Sequence, residues 1–132
     1  MHEWALAEAV LETAKRILRE RGGSRVISVT VVFGELQAVD ADIFRTGLDL
    51  LAAKAPFAED FLMIVTEKAS FRCLACDTEW STHSDLTTHE KEAIHLLPET
   101  AHVYLRCPSC RSPDFKIERG RGVFIRSIEI EE

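Results

Sequence analysis

The segments Cys73-Leu-Ala-Cys76 and Cys107-Pro-Ser-Cys110 are two C-x-x-C pairs separated by 30 residues, and they contain all four cysteines of the chain. Zn²⁺ prefers four ligands in a tetrahedron, and a two-residue spacer lets one turn direct two thiolates at the same ion. A redox dithiol needs one such motif at a helix N-terminus rather than two matched ones. The spacing therefore predicts one structural zinc whose four sulfur ligands leave no position for a catalytic water.

The predicted zinc segment is short and polar, so it cannot bury enough apolar surface to fold without the ion. Four thiolates around Zn²⁺ carry a net charge of about -2. Arg72, Arg106 and Arg111 adjoin the ligands in sequence, and we expect them to offset this charge. Arg111 occupies the position after the last cysteine, where such turns often have glycine.

The segments on either side of the cysteines predict an α+β fold. Apolar residues recur every three to four positions over residues 3–21, which predicts a helix ending at Gly22-Gly23, and Asp40 is a candidate N-cap for a second helix. Alternating apolar residues predict strands over residues 25–33, 61–67 and 101–105, and again after residue 115. We expect two helices packed on a small, mostly antiparallel sheet, interrupted by a zinc-ribbon-like module with four cysteine ligands. The predicted domains are residues 1–67 with 115–132, and residues 68–114.

Composition excludes several classes of partner and location. The chain has 132 residues and a net charge of -6, and no run of basic residues suits it to a phosphate backbone, so we expect no nucleic-acid partner. It contains neither an apolar stretch long enough to span a bilayer nor a signal peptide, which predicts no membrane association and a cytoplasmic location. The oligomeric state, monomer or homodimer, stays open.

The N-terminal Met1-His2-Glu3 is a second candidate metal site. A histidine at position 2 brings the terminal amine, its own backbone nitrogen and its imidazole within chelating reach of square-planar Ni²⁺ or Cu²⁺. The simpler interpretation is an exposed His2 followed by an acidic residue that suits the first turn of a helix. His95 lies within the apolar segment Ile94-His95-Leu96-Leu97, where a histidine is more often a hydrogen-bonded core residue than a ligand.

Together with the cysteine pairs, Met1-His2-Glu3, Phe33-Gly34-Glu35-Leu36 and Gly120-Arg121-Gly122-Val123 resemble the HypA family over essentially the whole chain. The resemblance implies a nickel metallochaperone, not an enzyme, that serves the maturation of [NiFe]-hydrogenase and, in some organisms, of urease. It implies a nickel site at Met1, His2 and Glu3, and zinc bound by the four cysteines. The implied partners are a nickel-handling GTPase and the immature hydrogenase large subunit.

The 30-residue spacer is longer than in many members of the family and is similar to the mainly archaeal ones, in which a spacer histidine can approach the nickel. This similarity nominates His95 as a fourth, conditional nickel ligand. A different class of function also stays open. The two C-x-x-C pairs alone are compatible with a zinc-ribbon adaptor that binds nucleic acid or protein, in which His2 has no role.

Overall fold

The fold is described by a computed structural model that covers residues 3–81 and 88–132. Its helices are α1 (Glu3–Arg21), α2 (Ala41–Ala52), α3 (Thr88–Leu96) and α4 (Ala101–Tyr104), with single 3-10 turns over Glu35–Gln37 and Pro98–Thr100. Its strands are β1 (Arg25–Gly34), β2 (Leu62–Glu67), β3 (Ser70–Cys73), β4 (Glu79–Trp80), β5 (Phe115–Arg119) and β6 (Val123–Glu131). Within the described ranges, no helix combines the length and the apolar character needed to cross a membrane.

The chain forms two compact units. The first comprises the chain up to Val32 together with Val39–Val65 and Phe124–Glu132, and the second comprises Phe33–Ala38 and Thr66–Val123. The sequence prediction places residues 33–38 and 115–123 outside the cysteine-containing unit. By their contacts both segments group with the cysteines, and for Phe115–Arg119 this grouping reflects the pairing of β5 with β3. Which unit binds which metal stays a prediction.

In the first unit, α1 begins and ends where its sequence predicts. Its apolar residues Ala7, Val10, Leu11, Ala14 and Leu18 are buried, as their three- and four-residue spacing requires. Gly22 adopts a left-handed conformation with φ of 66°, and the N–H of Gly23 donates to the Leu18 carbonyl oxygen at 3.1 Å. This pairing ends the helix in the manner of a glycine C-cap.

The sheet of the first unit has the strand order β2-β1-β6. The N–H of Ser24 donates to the Glu131 carbonyl oxygen, and that of Gly34 donates to the Gly122 carbonyl oxygen, so β6 runs antiparallel to β1. As the central strand, β1 is buried on both faces from Val29 onward, including the polar Thr30. Asp40 caps α2 as predicted.

In the second unit, β3 is the central strand of an antiparallel sheet with the order β4-β3-β5. The core of this unit consists of one cluster of buried side chains, Leu36, Ala69, Phe71, Ile94, Ala101 and Phe115. Phe71 and Phe115 meet edge to face with ring centroids 5.5 Å apart. Two members of the cluster, Ile94 and Ala101, come from the spacer between the cysteine pairs.

The α+β fold class with a four-cysteine module is confirmed, but one predicted element is wrong. The strand predicted over residues 101–105 is the short helix α4, in which the Leu105 N–H donates to the Ala101 carbonyl oxygen at 2.8 Å. Ala101 is buried whereas Val103 is 67% exposed, so the two side chains do not share a face as a strand requires.

Candidate metal centre

The two cysteine pairs fold into turns with the same backbone hydrogen bonds. In the first turn, the Asp77 N–H donates to the Cys73 carbonyl oxygen at 3.0 Å, and the Cys73 N–H donates to the Thr78 carbonyl oxygen at 2.8 Å. In the second turn, the corresponding bonds run from the Arg111 N–H to the Cys107 carbonyl oxygen at 2.9 Å and from the Cys107 N–H to the Ser112 carbonyl oxygen at 3.0 Å. Because the two turns share this backbone, each one directs its two sulfurs in the same way relative to the main chain.

Each turn ends in a left-handed residue that is not glycine. Asp77 and Arg111, which directly follow Cys76 and Cys110, both have φ of 66°. A side chain in this conformation costs roughly 1 kcal/mol relative to glycine. In sequence Arg111 is a departure from the usual glycine, and the structure shows that the backbone keeps the same turn there.

The four sulfurs lie at the corners of a site sized for one ion. The Sγ atoms of Cys73 and Cys110 are 3.5 Å apart, those of Cys76 and Cys107 are 3.6 Å apart, and all four lie within 4.8 Å of one another. Tetrahedral Zn–S bonds of about 2.3 Å separate neighbouring sulfurs by about 3.8 Å. The arrangement therefore fits zinc, with the sulfurs of Cys73 and Cys107 in buried residues and those of Cys76 and Cys110 in exposed ones.

The surroundings of two of the thiols, Cys76 and Cys110, shift their pKa values in opposite directions. The Thr78 hydroxyl and amide lower the pKa of Cys76 to about 6. The Ser112 amide lowers the pKa of Cys110, but the Cys73 sulfur, burial and the other two thiols outweigh it and raise that pKa to about 12. Four thiols at such distances cannot all ionise without a cation, so metal binding at this site releases protons.

Two of the three arginines beside the cysteines, Arg72 and Arg106, form hydrogen bonds to nearby oxygen atoms. Arg72 donates to the carboxylates of Glu118 and Glu79 at 2.8 and 2.6 Å, and Arg106 donates to the carbonyl oxygens of His102 and Leu105 at 3.1 and 2.9 Å. Successive residues of a strand point to opposite faces, so Arg72 on β3 faces away from the sulfur of Cys73. The compensation of the thiolate charge by these arginines stays a prediction.

Met1 and His2, the predicted core of the second metal site, lie outside the described residues. Glu3 is the first residue of α1, and its Oε2 accepts a hydrogen bond from the backbone N–H of Asp40 at 2.9 Å. This bond lowers the pKa of Glu3 below its ordinary value. Asp40 in turn caps α2, because its Oδ1 accepts from the N–H groups of Asp42 and Ile43 at 3.1 Å. Glu3 thus links the first turn of α1 to the start of α2.

His95 lies on α3, directly after the buried Ile94, with its own side chain partly exposed. Within the described ranges, the side chains close enough to share a metal ion are those of the four cysteines, and His95 is not among them. Its role as a nickel ligand stays a prediction. Thr78, whose hydroxyl lies 3.1 Å from the Cys76 sulfur, is a neighbour of the metal centre that the sequence does not predict, since nothing in its spacing distinguishes it from other polar surface residues.

Comparison with known proteins gives consistent matches over the whole chain. Residues 1–130 match a family described as "Hydrogenase/urease nickel incorporation, metallochaperone, hypA". The chain is 40% identical to the hydrogenase maturation factor HypA of Thermococcus kodakarensis and 41% identical to that of Pyrococcus horikoshii, in each case covering 100% of this chain and 97% of the relative. The solution structure of the Ni metallochaperone HypA from Helicobacter pylori is similar with a TM-score of 0.63 at 20% identity, covering 99% of this chain and 98% of that one, which supports the same fold.

Proposed function

The chain belongs to the HypA family of nickel metallochaperones for hydrogenase maturation, and on this premise we propose that it binds Ni²⁺ reversibly at Met1-His2 and is not an enzyme. It delivers the ion to the immature [NiFe]-hydrogenase large subunit, working with a nickel-handling GTPase in the cytoplasm. A urease is a second candidate client, since the family description names both processes. Full-length matches at 40% and 41% identity to hydrogenase maturation factors support the proposal most strongly.

In this proposal the four cysteines hold zinc as a structural ion. A shell of four thiolates leaves no open coordination position for a water molecule or a substrate, so the zinc stabilises the fold and does not take part in catalysis. Zinc in sites of this type contributes roughly 10–16 kcal/mol of folding free energy. The matching sulfur separations of 3.5 and 3.6 Å support this role, because they require little rearrangement when the ion binds.

The nickel ligands are the amine of Met1, the backbone nitrogen of His2 and its imidazole. All three nitrogens must lose protons or be neutral to bind the ion, so nickel affinity falls as the pH is lowered. Glu3 follows these ligands directly, but its carboxylate accepts the Asp40 N–H. We therefore assign Glu3 the task of fixing the start of α1, which supports the ligands beside it.

A titration of untagged, zinc-loaded protein with Ni²⁺ tests the N-terminal site. His2→Ala should abolish tight nickel binding and leave the zinc content at one ion per chain. An N-terminal tag should weaken nickel binding as well, because it removes the amine. Unaltered nickel affinity and absorption spectrum in His2→Ala would refute the assignment.

The role of His95 needs a separate comparison. His95→Ala should alter the nickel absorption spectrum of zinc-loaded protein if the imidazole is the fourth ligand. The matched control is His89→Ala, since His89 lies on the same helix α3 and is exposed. Identical spectra for the two variants and the wild type would leave His95 as a residue of the protein interior.

A zinc-ribbon adaptor remains the alternative function. A nucleic-acid adaptor needs positive charge along its contact surface, whereas this chain has a net charge of -6. A mobility-shift assay with a nonspecific duplex at low salt separates the two functions. Binding of the duplex by a protein that takes up no nickel would favour the adaptor.

A further inference from the structure

Arg72, which directly precedes the first zinc ligand, uses all three guanidinium nitrogens in hydrogen bonds. Its Nε donates to Glu118 Oε1 at 2.8 Å, and its Nη2 donates to Glu79 Oε2 at 2.6 Å. Its Nη1 reaches both the carbonyl oxygen and Oδ1 of Asp77, at 3.3 and 3.4 Å. One planar side chain thus joins three separate acidic residues, which is a geometry that only arginine provides.

The three acceptors belong to three different parts of the cysteine-containing unit. Glu118 lies on β5 and Glu79 on β4, the two strands that flank the central strand β3. Asp77 is the left-handed residue that ends the first cysteine turn, and its N–H donates to the Cys73 carbonyl oxygen. The guanidinium therefore connects all three strands of the sheet to the left-handed residue that ends the turn containing Cys73 and Cys76.

We propose that Arg72 is a positioning residue of the zinc centre, holding the first cysteine turn against the three-stranded sheet in the conformation that binds the ion. The inference rests on the proposed zinc role of the four cysteines. Side chains that orient metal ligands without touching the metal typically change metal affinity by roughly 10- to 100-fold when they are replaced. Arg72 acts on the backbone of the turn rather than on a sulfur, so we expect an effect of about tenfold.

The electrostatic neighbours of Arg72 support this role. Arg72 Nε and Glu118 Oε1 form an ion pair at 2.8 Å that links β3 to β5. The side chain of Arg72 is 32% exposed and that of Glu118 is 30% exposed. The pair is therefore less screened than the pairs at the open surface, such as Arg25 with Glu131.

Arg106 provides a matched control because it directly precedes Cys107, just as Arg72 directly precedes Cys73. Among the described residues, its Nη1 donates to the nearby carbonyl oxygens of His102 and Leu105, both in the segment that leads into the second cysteine turn. If the arginines acted by offsetting the charge of the zinc–thiolate centre, the two positions would be equivalent and lysine would replace either one. If Arg72 positions the turn, lysine fails at position 72 because an ammonium cannot make the three-way connection.

The experiment compares Arg72→Lys and Arg106→Lys in the zinc-loaded full chain, with zinc release to a chromophoric chelator as the readout. We expect zinc affinity to fall about tenfold in Arg72→Lys and to stay within about twofold of the wild type in Arg106→Lys. The cobalt-substituted proteins should show the same four-sulfur spectrum at saturation, because the ligands are unchanged. Equal zinc retention by Arg72→Lys and the wild type, or equal losses in both variants, would overturn the proposal.

A double variant tests whether the effect passes through the acidic partners. Glu118→Gln combined with Arg72→Lys should lose little more zinc affinity than Arg72→Lys alone, since both changes break the same connection. Fully additive losses would contradict the proposed connection. A wild-type protein that holds no zinc would refute the zinc role of the cysteines and this inference together, whereas zinc-replete wild type with unaffected Arg72→Lys would refute the inference only.

Discussion

Replacing Glu3 separates its structural role from a role as nickel ligand. In the structure, Glu3 Oε2 accepts the Asp40 N–H at 2.9 Å, and Asp40 caps α2 through Asp42 and Ile43. Glu3→Ala removes this acceptor, whereas Glu3→Gln keeps an oxygen but loses the charge. Both variants should therefore destabilise the nickel-free protein, and Glu3→Ala should do so more strongly.

The size of the effect follows from the kind of bond. A hydrogen bond to a charged group contributes about 1.5–3 kcal/mol, and the partial exposure of Glu3 reduces this to about 1 kcal/mol for Glu3→Ala. Glu3→Gln should cost about half as much, because it keeps an acceptor oxygen and loses only the favourable negative charge at the start of α1. Neither variant should change the zinc content, since the cysteines belong to the other unit.

The pH dependence has a defined sign. The Asp40 N–H lowers the pKa of Glu3 in the folded protein below the ordinary value of 4.5, so the folded state holds this proton less tightly than the unfolded state. The stabilisation by Glu3 is therefore complete above that ordinary value and is lost as the pH falls through the folded-state pKa. Wild type and Glu3→Gln should differ in stability at neutral pH and converge under more acidic conditions.

Urea denaturation of the nickel-free, zinc-loaded proteins measures this difference, with Glu8→Gln as the control. Glu8 lies on the same helix, is exposed and should leave the free energy of unfolding within about 0.5 kcal/mol of wild type. If nickel-free Glu3→Gln is as stable as wild type and loses only nickel affinity, the carboxylate acts on the ion and its assigned role in fixing the start of α1 is wrong.

Three further predictions concern the cysteine-containing unit. Gly34→Ala should lower the free energy of unfolding, measured by thermal denaturation, by more than about 2 kcal/mol, because the new Cβ would lie 2.6 Å from the Gly122 carbonyl oxygen and closer still to that of Gly120. The control Gly122→Ala should be nearly neutral, since a Cβ there meets no atom within 4 Å. Ile94→Ala should lower the free energy of unfolding by about 2–5 kcal/mol, which is less than bound zinc contributes. The near-UV circular dichroism signal of this variant should therefore persist with zinc and disappear when a chelator removes the metal. A signal that persists under both conditions would contradict this prediction. Ser70→Ala should be neutral or stabilising by about 1 kcal/mol in urea, since the Ser70 hydroxyl is buried without a hydrogen-bond partner among the described residues, and a clear loss would show a missed partner.

The parts of the fold that the sequence predicts correctly are those governed by local rules. The apolar spacing of α1, its glycine end and the Asp40 cap each depend on residues within a few positions of one another, and the structure contains all three. The four cysteines are equally predictable as a group, because two-residue spacers and the preference of zinc for four sulfurs leave few alternatives.

The errors arise where neighbours distant in sequence decide the outcome. Residues 101–105 alternate over only five positions, a length at which strand and helix patterns overlap, and the burial of Ala101 against the core of the unit selects the helix. Arg72 adjoins a cysteine in sequence, but side chains alternate along a strand, and its contact with Glu118 on β5 has no local signal. The pairing of β5 with β3 likewise joins residues more than forty positions apart, and no local pattern indicates it.

The chemistry of the two proposed sites explains why one protein would need both. The four cysteine sulfurs lie close enough to surround one ion, and a closed shell of four thiolates would retain zinc too firmly to release it as cargo. A terminal amine, an amide nitrogen and an imidazole bind nickel only while deprotonated or neutral, and they release it when protons return or when a client offers better ligands. We infer that the cysteines hold zinc permanently, whereas Met1-His2 binds nickel reversibly. Glu3 and Arg72 have parallel tasks in this division, since each fixes the backbone beside one set of ligands.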